Sequence, residues 1–169
     1  MSNNKYKKYQ IPKKQKTFKE ICFPKEFTKQ NPQLFLADFL GPNGNSTNGI
    51  LVFHQIGSGK TCSAVSITEA WRGKKNIYFV VPASLIGNLR GELRSKCAGN
   101  NYITDKERAL LKTLHPSSKE YKVIIESSNE RIDEYYKIYS YNKFVTDIEL
   151  GLVNLKNSLL VIDEVQNIV

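Results

Sequence analysis

Two short apolar runs, Asn76 to Val81 (NIYFVV) and Leu159 to Ile162 (LLVI), constrain the fold of this chain more than any other feature. Both are strand-sized, rich in β-branched residues and continuous rather than alternating in polarity. Such runs belong to strands covered on both faces. Between and around them the spacing turns helical. Asn31-Pro32 reads as an N-cap with proline at the first helical position, followed by Phe35 and Phe39 on one face until Gly41-Pro42. Ala64, Ile67 and Trp71 mark a second helix starting near Lys60, and Leu85, Leu89 and Leu93 a third. Thr104-Asp105-Lys106-Glu107 is a capping box that opens a helix through Leu114, and Phe144, Ile148 and Leu152 mark one more. Ile50–Phe53, Tyr121–Glu126 and Tyr135–Tyr139 are expected as further strands. Strands that alternate with helices in this way predict an α/β fold, a mostly parallel sheet sandwiched by helices.

The chain has 169 residues, close to one ordinary domain, and 40% of them are hydrophobic, which excludes a wholly disordered polymer. No apolar run approaches the roughly 20 residues that a membrane-spanning helix needs, so no membrane partner is expected. The start is lysine-rich with no apolar stretch behind it, which is not a secretory signal, and the expectation is an intracellular protein. The formal charge of +9 is concentrated: residues 1–30 hold nine lysines against two acids, a net +7, which leaves +2 for the rest. We therefore expect a basic, flexible arm over 1–30 and a nearly neutral folded part over 31–169. A basic arm of this kind suits phosphate-bearing partners, nucleic acid among them.

The strongest chemical signal is His54-Gln55-Ile56-Gly57-Ser58-Gly59-Lys60-Thr61, set after an apolar run and at the start of a helix. Gly57 and Gly59 allow backbone conformations and close approach that a Cβ would block. Successive N–H groups can then face a triphosphate, helped by the helix dipole. Lys60 would reach the β- and γ-phosphates, and the Thr61 hydroxyl would ligate Mg²⁺. The general phosphate-loop pattern has glycine six residues before the lysine, where this chain has His54.

A second element narrows the chemistry. The run Leu159–Ile162 delivers Asp163 and Glu164 at its C-terminal end. Asp163 is placed to hold Mg²⁺ and Glu164 to orient and deprotonate an attacking water. Neither the Asp-Gly pair nor the later Asn-Lys-x-Asp motif of a GTPase is present.

Together these motifs resemble the superfamily 2 helicases and DNA-dependent ATPases, with their D-E-x-x box, and among them the enzymes of giant viruses and poxvirus-like large DNA viruses. The resemblance spans roughly residues 30–169. His54–Thr61 looks like motif I, where glycine is not required at the His54 position, and Asp163-Glu164-Val165-Gln166 looks like motif II. Val80–Leu85 with Asn88 is similar to motif Ia, and Tyr139-Ser140-Tyr141 to a further strand-end motif near the nucleic-acid path. Asn31-Pro32-Gln33 resembles the segment whose glutamine reads adenine.

The resemblance implies the first RecA-like lobe of a P-loop NTPase that uses ATP and Mg²⁺. It implies catalytic roles for Lys60 and Glu164, and metal ligation by Thr61 and Asp163. Nucleotide binding would fall to Gln33, Gln55, Ile56, Gly57, Ser58, Gly59, Lys60, Thr61 and Cys62. Nucleic acid, DNA before RNA, would meet Pro82, Ser84, Asn88 and Tyr141. Val169 follows soon after Glu164, so the lobe reads as incomplete at its C-terminus, and a second lobe is expected as partner. Two other classes fit parts of the pattern: a P-loop small-molecule kinase, and a non-catalytic nucleic-acid-binding fragment that uses its arm.

Overall fold

The computed structural model describes residues 5–11, 17, 26–45, 47–53 and 58–168, the side chains of 167 and 168 excepted. They belong to two compact units, Met1–Ala70 and Trp71–Val169.

In the first unit the main elements are α1 (Asn31–Phe39) and α2 (Lys60–Trp71, its last residue at the unit boundary). The N-cap of α1 is Gln30, one residue before the expected Asn31. Pro32 falls in the first turn, where its missing N–H costs nothing. A short 3₁₀ turn, Lys7–Tyr9, precedes α1. Tyr6 and Tyr9 stack edgewise on Phe35, and Tyr6 also meets Phe39. The Tyr9 hydroxyl donates to Asp38 at 2.8 Å, while Lys5 and Lys8 pair with the same carboxylate. These partners, the Tyr9 hydrogen bond first, hold the Asp38 carboxyl below its ordinary pKa. The two helical phenylalanines, read as sharing one face, thus bind the described part of the lysine-rich segment.

Ile50–Phe53, expected as a strand, is not one. It makes no ladder, and Leu51 and Phe53 are 78% and 91% exposed. Apolar content marks a run that gains by burial, but a strand exists only where a neighbour supplies hydrogen bonds. All three strands of the sheet come from later in the chain.

The second unit carries that sheet. Its strands are β1 (Asn76–Val81), β2 (Tyr136–Ser140) and β3 (Ser158–Ile162), in the order β2-β1-β3 and all parallel. Central β1 is buried from Ile77 to Val81, as its unbroken apolar run requires. The β1-to-β2 connection holds α3 (Ile86–Leu93), α4 (Asp105–Thr113) and α5 (Lys119–Asp133). The β2-to-β3 connection holds α6 (Tyr141–Glu149) and crosses back past β1. Tyr78 and Val80 pack on Phe144 of α6, with Tyr139 and Val153 beside them. Ile77, Phe79 and Val81 point to the other face by the period of two. The expected parallel α/β sheet is therefore present, with three strands.

Tyr121–Glu126, expected as a strand, lies inside α5. The run Val123-Ile124-Ile125 has strand propensity, but Ser118 caps a helix by accepting from Tyr121 N. Tyr121, Ile124, Ile125, Ser128 and Ile132 then recur at helical spacing as the covered face, while Val123 is exposed. The capping box at Thr104 and Glu107 forms as read, with both reciprocal bonds made. The α6 helix stops at Glu149, short of Leu152, which is 68% exposed. Gly151 at φ 70° ends it, with Leu152 N bonding to Asp147 O and Gly151 N to Ile148 O. This double closure satisfies the last carbonyls and needs a left-handed residue that glycine adopts without strain.

Candidate nucleotide site and carboxylate turn

The described part of the phosphate loop begins at Ser58, so Gln55, Ile56 and Gly57, with His54, lie outside the described residues. Gly59 has φ 78°, a left-handed conformation, and Lys60 is the first residue of α2. The Gly59 carbonyl accepts from Ser63 N at 3.0 Å and from Ser63 Oγ at 3.2 Å. That closes the first turn of α2, whose N-terminal end carries the positive pole of the helix dipole. Lys60 and Thr61 are half-buried, and Cys62 is buried and disulfide-bonded.

Gln33 is brought to this loop. Its side chain is among the most covered polar groups of the first unit, at 6% exposure. Oε1 accepts from Gln30 N at 2.9 Å, capping α1, and Nε2 donates to Gly59 O at 3.4 Å. A Cβ added at Gly59 would lie 2.6 Å from Gln33 Nε2. The φ favours glycine at 59, and a Cβ there would push the Gln33 amide aside. The Gln33–Gly59 bond has no signal in the sequence, since 26 residues separate its partners.

In the second unit the parallel register brings three strand ends to one edge of the sheet. Val81 pairs with Ser140, and Val80 with Ile162. The segments that follow, Pro82–Leu85, Ser140-Tyr141 and Asp163-Glu164, leave from that carboxyl edge, where ligands of open α/β sheets bind. Asp163 N still donates to Val80 O at 2.9 Å, which continues the ladder one residue beyond β3. The chain then turns sharply: Glu164 has φ 53°, and its N–H donates to Asp163 Oδ1 at 3.0 Å. Both carboxylate residues are half-buried. Gln166 Nε2 donates to Glu164 Oε2.

Tyr141, expected at the nucleic-acid path, is found against this turn. Its hydroxyl meets the main-chain carbonyls of both Asp163 and Glu164, the latter at 2.9 Å. Burial first, then the charges of Asp163 and Glu164, raises the phenol above its ordinary pKa, so it stays a neutral donor. The other expected nucleic-acid residues sit near the same edge. Pro82 ends β1 and is half-buried; Ser84 is exposed in the 3₁₀ turn Ala83–Leu85; Asn88 is exposed on the first turn of α3. Ser84 is not a helix cap, because α3 starts only at Ile86, with Leu85 as its N-cap.

Each unit carries its own part of this chemistry: a left-handed glycine ahead of a helix start in the first, and hard-oxygen carboxylates at a strand end in the second.

No protein-family model matches the chain, and no solved structure does. Curated viral proteins do. An Acanthamoeba polyphaga mimivirus protein carrying an ATP-dependent RNA helicase name is 56% identical over 167 residues, which is 99% of this chain and 29% of that protein. A termination factor NPH-I homolog of African swine fever virus is 26% identical over 125 residues, covering 74% of this chain and 15% of its own. A helicase-named protein of Invertebrate iridescent virus 3 is 22% identical over 187 residues, covering 99% and 17%. The chain thus spans under a third of the length of the relatives it matches. Its relatives are helicase-named and termination-factor proteins of giant and other large DNA viruses, and the chain is similar to one part of each.

Proposed function

We propose that the chain is the ATP-binding part, a RecA-like first lobe, of a nucleic-acid-dependent ATPase that couples hydrolysis to remodelling of, or movement along, nucleic acid. The observation that carries this reading is the left-handed Gly59 at the start of α2, held under the Gln33 amide, in a chain 56% identical to a helicase-named protein. Gln33 would lie between the adenine and the loop. The N–H groups from Ser58 to Cys62, with those of Gln55, Ile56 and Gly57, would surround the phosphates. Lys60 would neutralise the β- and γ-phosphates, which favours the charge that develops in phosphoryl transfer. Thr61 and Asp163 would hold Mg²⁺; the ion, when bound, neutralises phosphate charge and orients the γ-phosphoryl group. Glu164 would accept the proton of the attacking water.

Pro82, Ser84 and Asn88, near the carboxyl end of β1, would meet the nucleic-acid strand. DNA is the strand we expect, on the likeness to DNA-dependent ATPases, and the RNA helicase names of two mimivirus relatives set RNA as the other arm of the test. A second lobe is proposed to complete the site, because arginines from such a lobe contribute orders of magnitude to phosphoryl transfer. The test is phosphate release by the chain, and by a longer polypeptide carrying it, with and without single- and double-stranded DNA or RNA. Stimulation by nucleic acid, abolished by Lys60→Ala and by Glu164→Gln, is the expected result. A rate indifferent to nucleic acid refutes the proposal.

A further inference from the structure

The Tyr141 hydroxyl has one proton and faces two main-chain carbonyls, those of Asp163 and Glu164. Between those carbonyls the backbone passes into the left-handed region, at φ 53° for Glu164, which L-residues with a Cβ seldom adopt. Such a conformation persists only where its surroundings over-determine it. Three bonds do so here. Asp163 N is tied to Val80 O, Glu164 N to Asp163 Oδ1, and the Tyr141 hydroxyl is shared across the turn. The first belongs to the sheet and the second to the turn itself. Tyr141 is the one side chain of the three that reaches in from another element: it is the first residue of α6, directly after its N-cap Ser140 at the end of β2. Its ring is fixed in turn, packed with Tyr78, Val80 and Phe144.

We infer that Tyr141 is a positioning residue for the Asp163–Glu164 turn, its hydroxyl holding the main chain so that the Glu164 carboxylate is presented in one orientation. The inference rests on the reading of Asp163 and Glu164 as the hydrolytic carboxylates. It assigns Tyr141 a place behind the chemistry rather than on the nucleic acid. Glu164 is the sharper beneficiary. Asp163 is already pinned by the ladder, whereas the Glu164 side chain is directed by its bond from Gln166 Nε2 together with the φ that the hydroxyl helps to hold. The β2–α6 junction and the carboxylates therefore share one hydrogen bond, and a shift of one is felt by the other.

The test is Tyr141→Phe, which keeps the ring and removes the hydroxyl, with Tyr139→Phe in the same aromatic cluster as control. In the 169-residue chain, amide NMR reads the turn directly. Loss of the hydroxyl should move the Glu164 amide signal, change its φ-dependent coupling constant and speed its hydrogen exchange roughly fivefold, the worth of one ordinary hydrogen bond. Tyr139→Phe should leave Glu164 as it was. In a longer, hydrolysing polypeptide, Tyr141→Phe should lower kcat about fivefold or more while KM for ATP and the affinity for nucleic acid stay within about twofold. An unchanged Glu164 amide overturns the inference, as does weakened nucleic-acid binding with kcat intact at saturation. If wild type and Lys60→Ala alike release no phosphate, the functional reading fails and the catalytic part of this inference with it. The Glu164 signals still report separately whether the hydroxyl holds the turn.

Discussion

Replacing Gly59 by alanine separates the two constraints that meet at that position. The first is local. At φ 78° an added Cβ crowds its own carbonyl, which costs about 1–2 kcal/mol in the left-handed region. The second is tertiary: the Cβ would stand 2.6 Å from Gln33 Nε2, so the amide must move. Moving it breaks the 3.4 Å bond to Gly59 O and pulls on the 2.9 Å bond that caps α1 at Gln30 N. Those losses together amount to about 1 kcal/mol. Gly59→Ala should therefore destabilise the chain by roughly 2–3 kcal/mol in urea titration, the sum of the two terms. In a Gln33→Ala background the same substitution should cost only the backbone term, so that the double-mutant cycle shows a coupling of about 1 kcal/mol. Nucleotide affinity, followed by fluorescence or calorimetry, should fall in both single variants. Equal costs of Gly59→Ala in the two backgrounds would refute the claim that the Gln33 amide presses on the loop, and would leave the glycine explained by its φ alone.

The Glu107 carboxyl is held at about 2 instead of 4.5, first by the Arg131 guanidinium and then by the Thr104 cap. A depressed folded pKa adds stability above pH 4.5 that is lost as pH falls towards 2. After solvent screening of this partly exposed pair the loss should be roughly 1 kcal/mol, and Glu107→Gln should flatten that limb of an acid titration. Ile132→Ala, at the fully buried end of α5, should cost about 2–5 kcal/mol in denaturant, whereas Val123→Lys on its exposed face should cost under about 0.5 kcal/mol. Gly151→Ala, with open space around its Cβ but φ 70°, should cost about 1–2 kcal/mol from backbone strain alone. Lys60→Ala should abolish any MgATP-dependent rise in Tm, and Glu164→Gln should retain it while turnover is lost.

Elements whose cause is local were legible in the amino-acid order. The Thr104–Glu107 box, the unbroken runs at β1 and β3 and the helix opening at Lys60 each depend on residues within a turn or two of one another. Local pattern also set the traps. Val123-Ile124-Ile125 carries strand propensity, yet one serine and a covered face at helical spacing made it helix, because side-chain burial outweighs intrinsic preference. Ile50–Phe53 has the composition of a strand and, among the described residues, no neighbour to form a ladder with. The α6 helix ends before Leu152 although that residue continues its apolar stripe, because the left-handed cap at Gly151 overrides a stripe.

By itself, the order of residues determined the α/β class, the glycine–lysine–threonine loop at a helix start and the Asp-Glu pair at the end of an apolar run. All of these follow from spacing within a few residues, where geometry leaves few choices. Only the tertiary structure decided which groups stand behind that chemistry. The Gln33 amide reaches a glycine 26 residues on, and the Tyr141 hydroxyl meets carbonyls 22 and 23 residues away. The second of those meetings depends on two strand registers through β1, and no period in the sequence encodes a register between strands joined by helices.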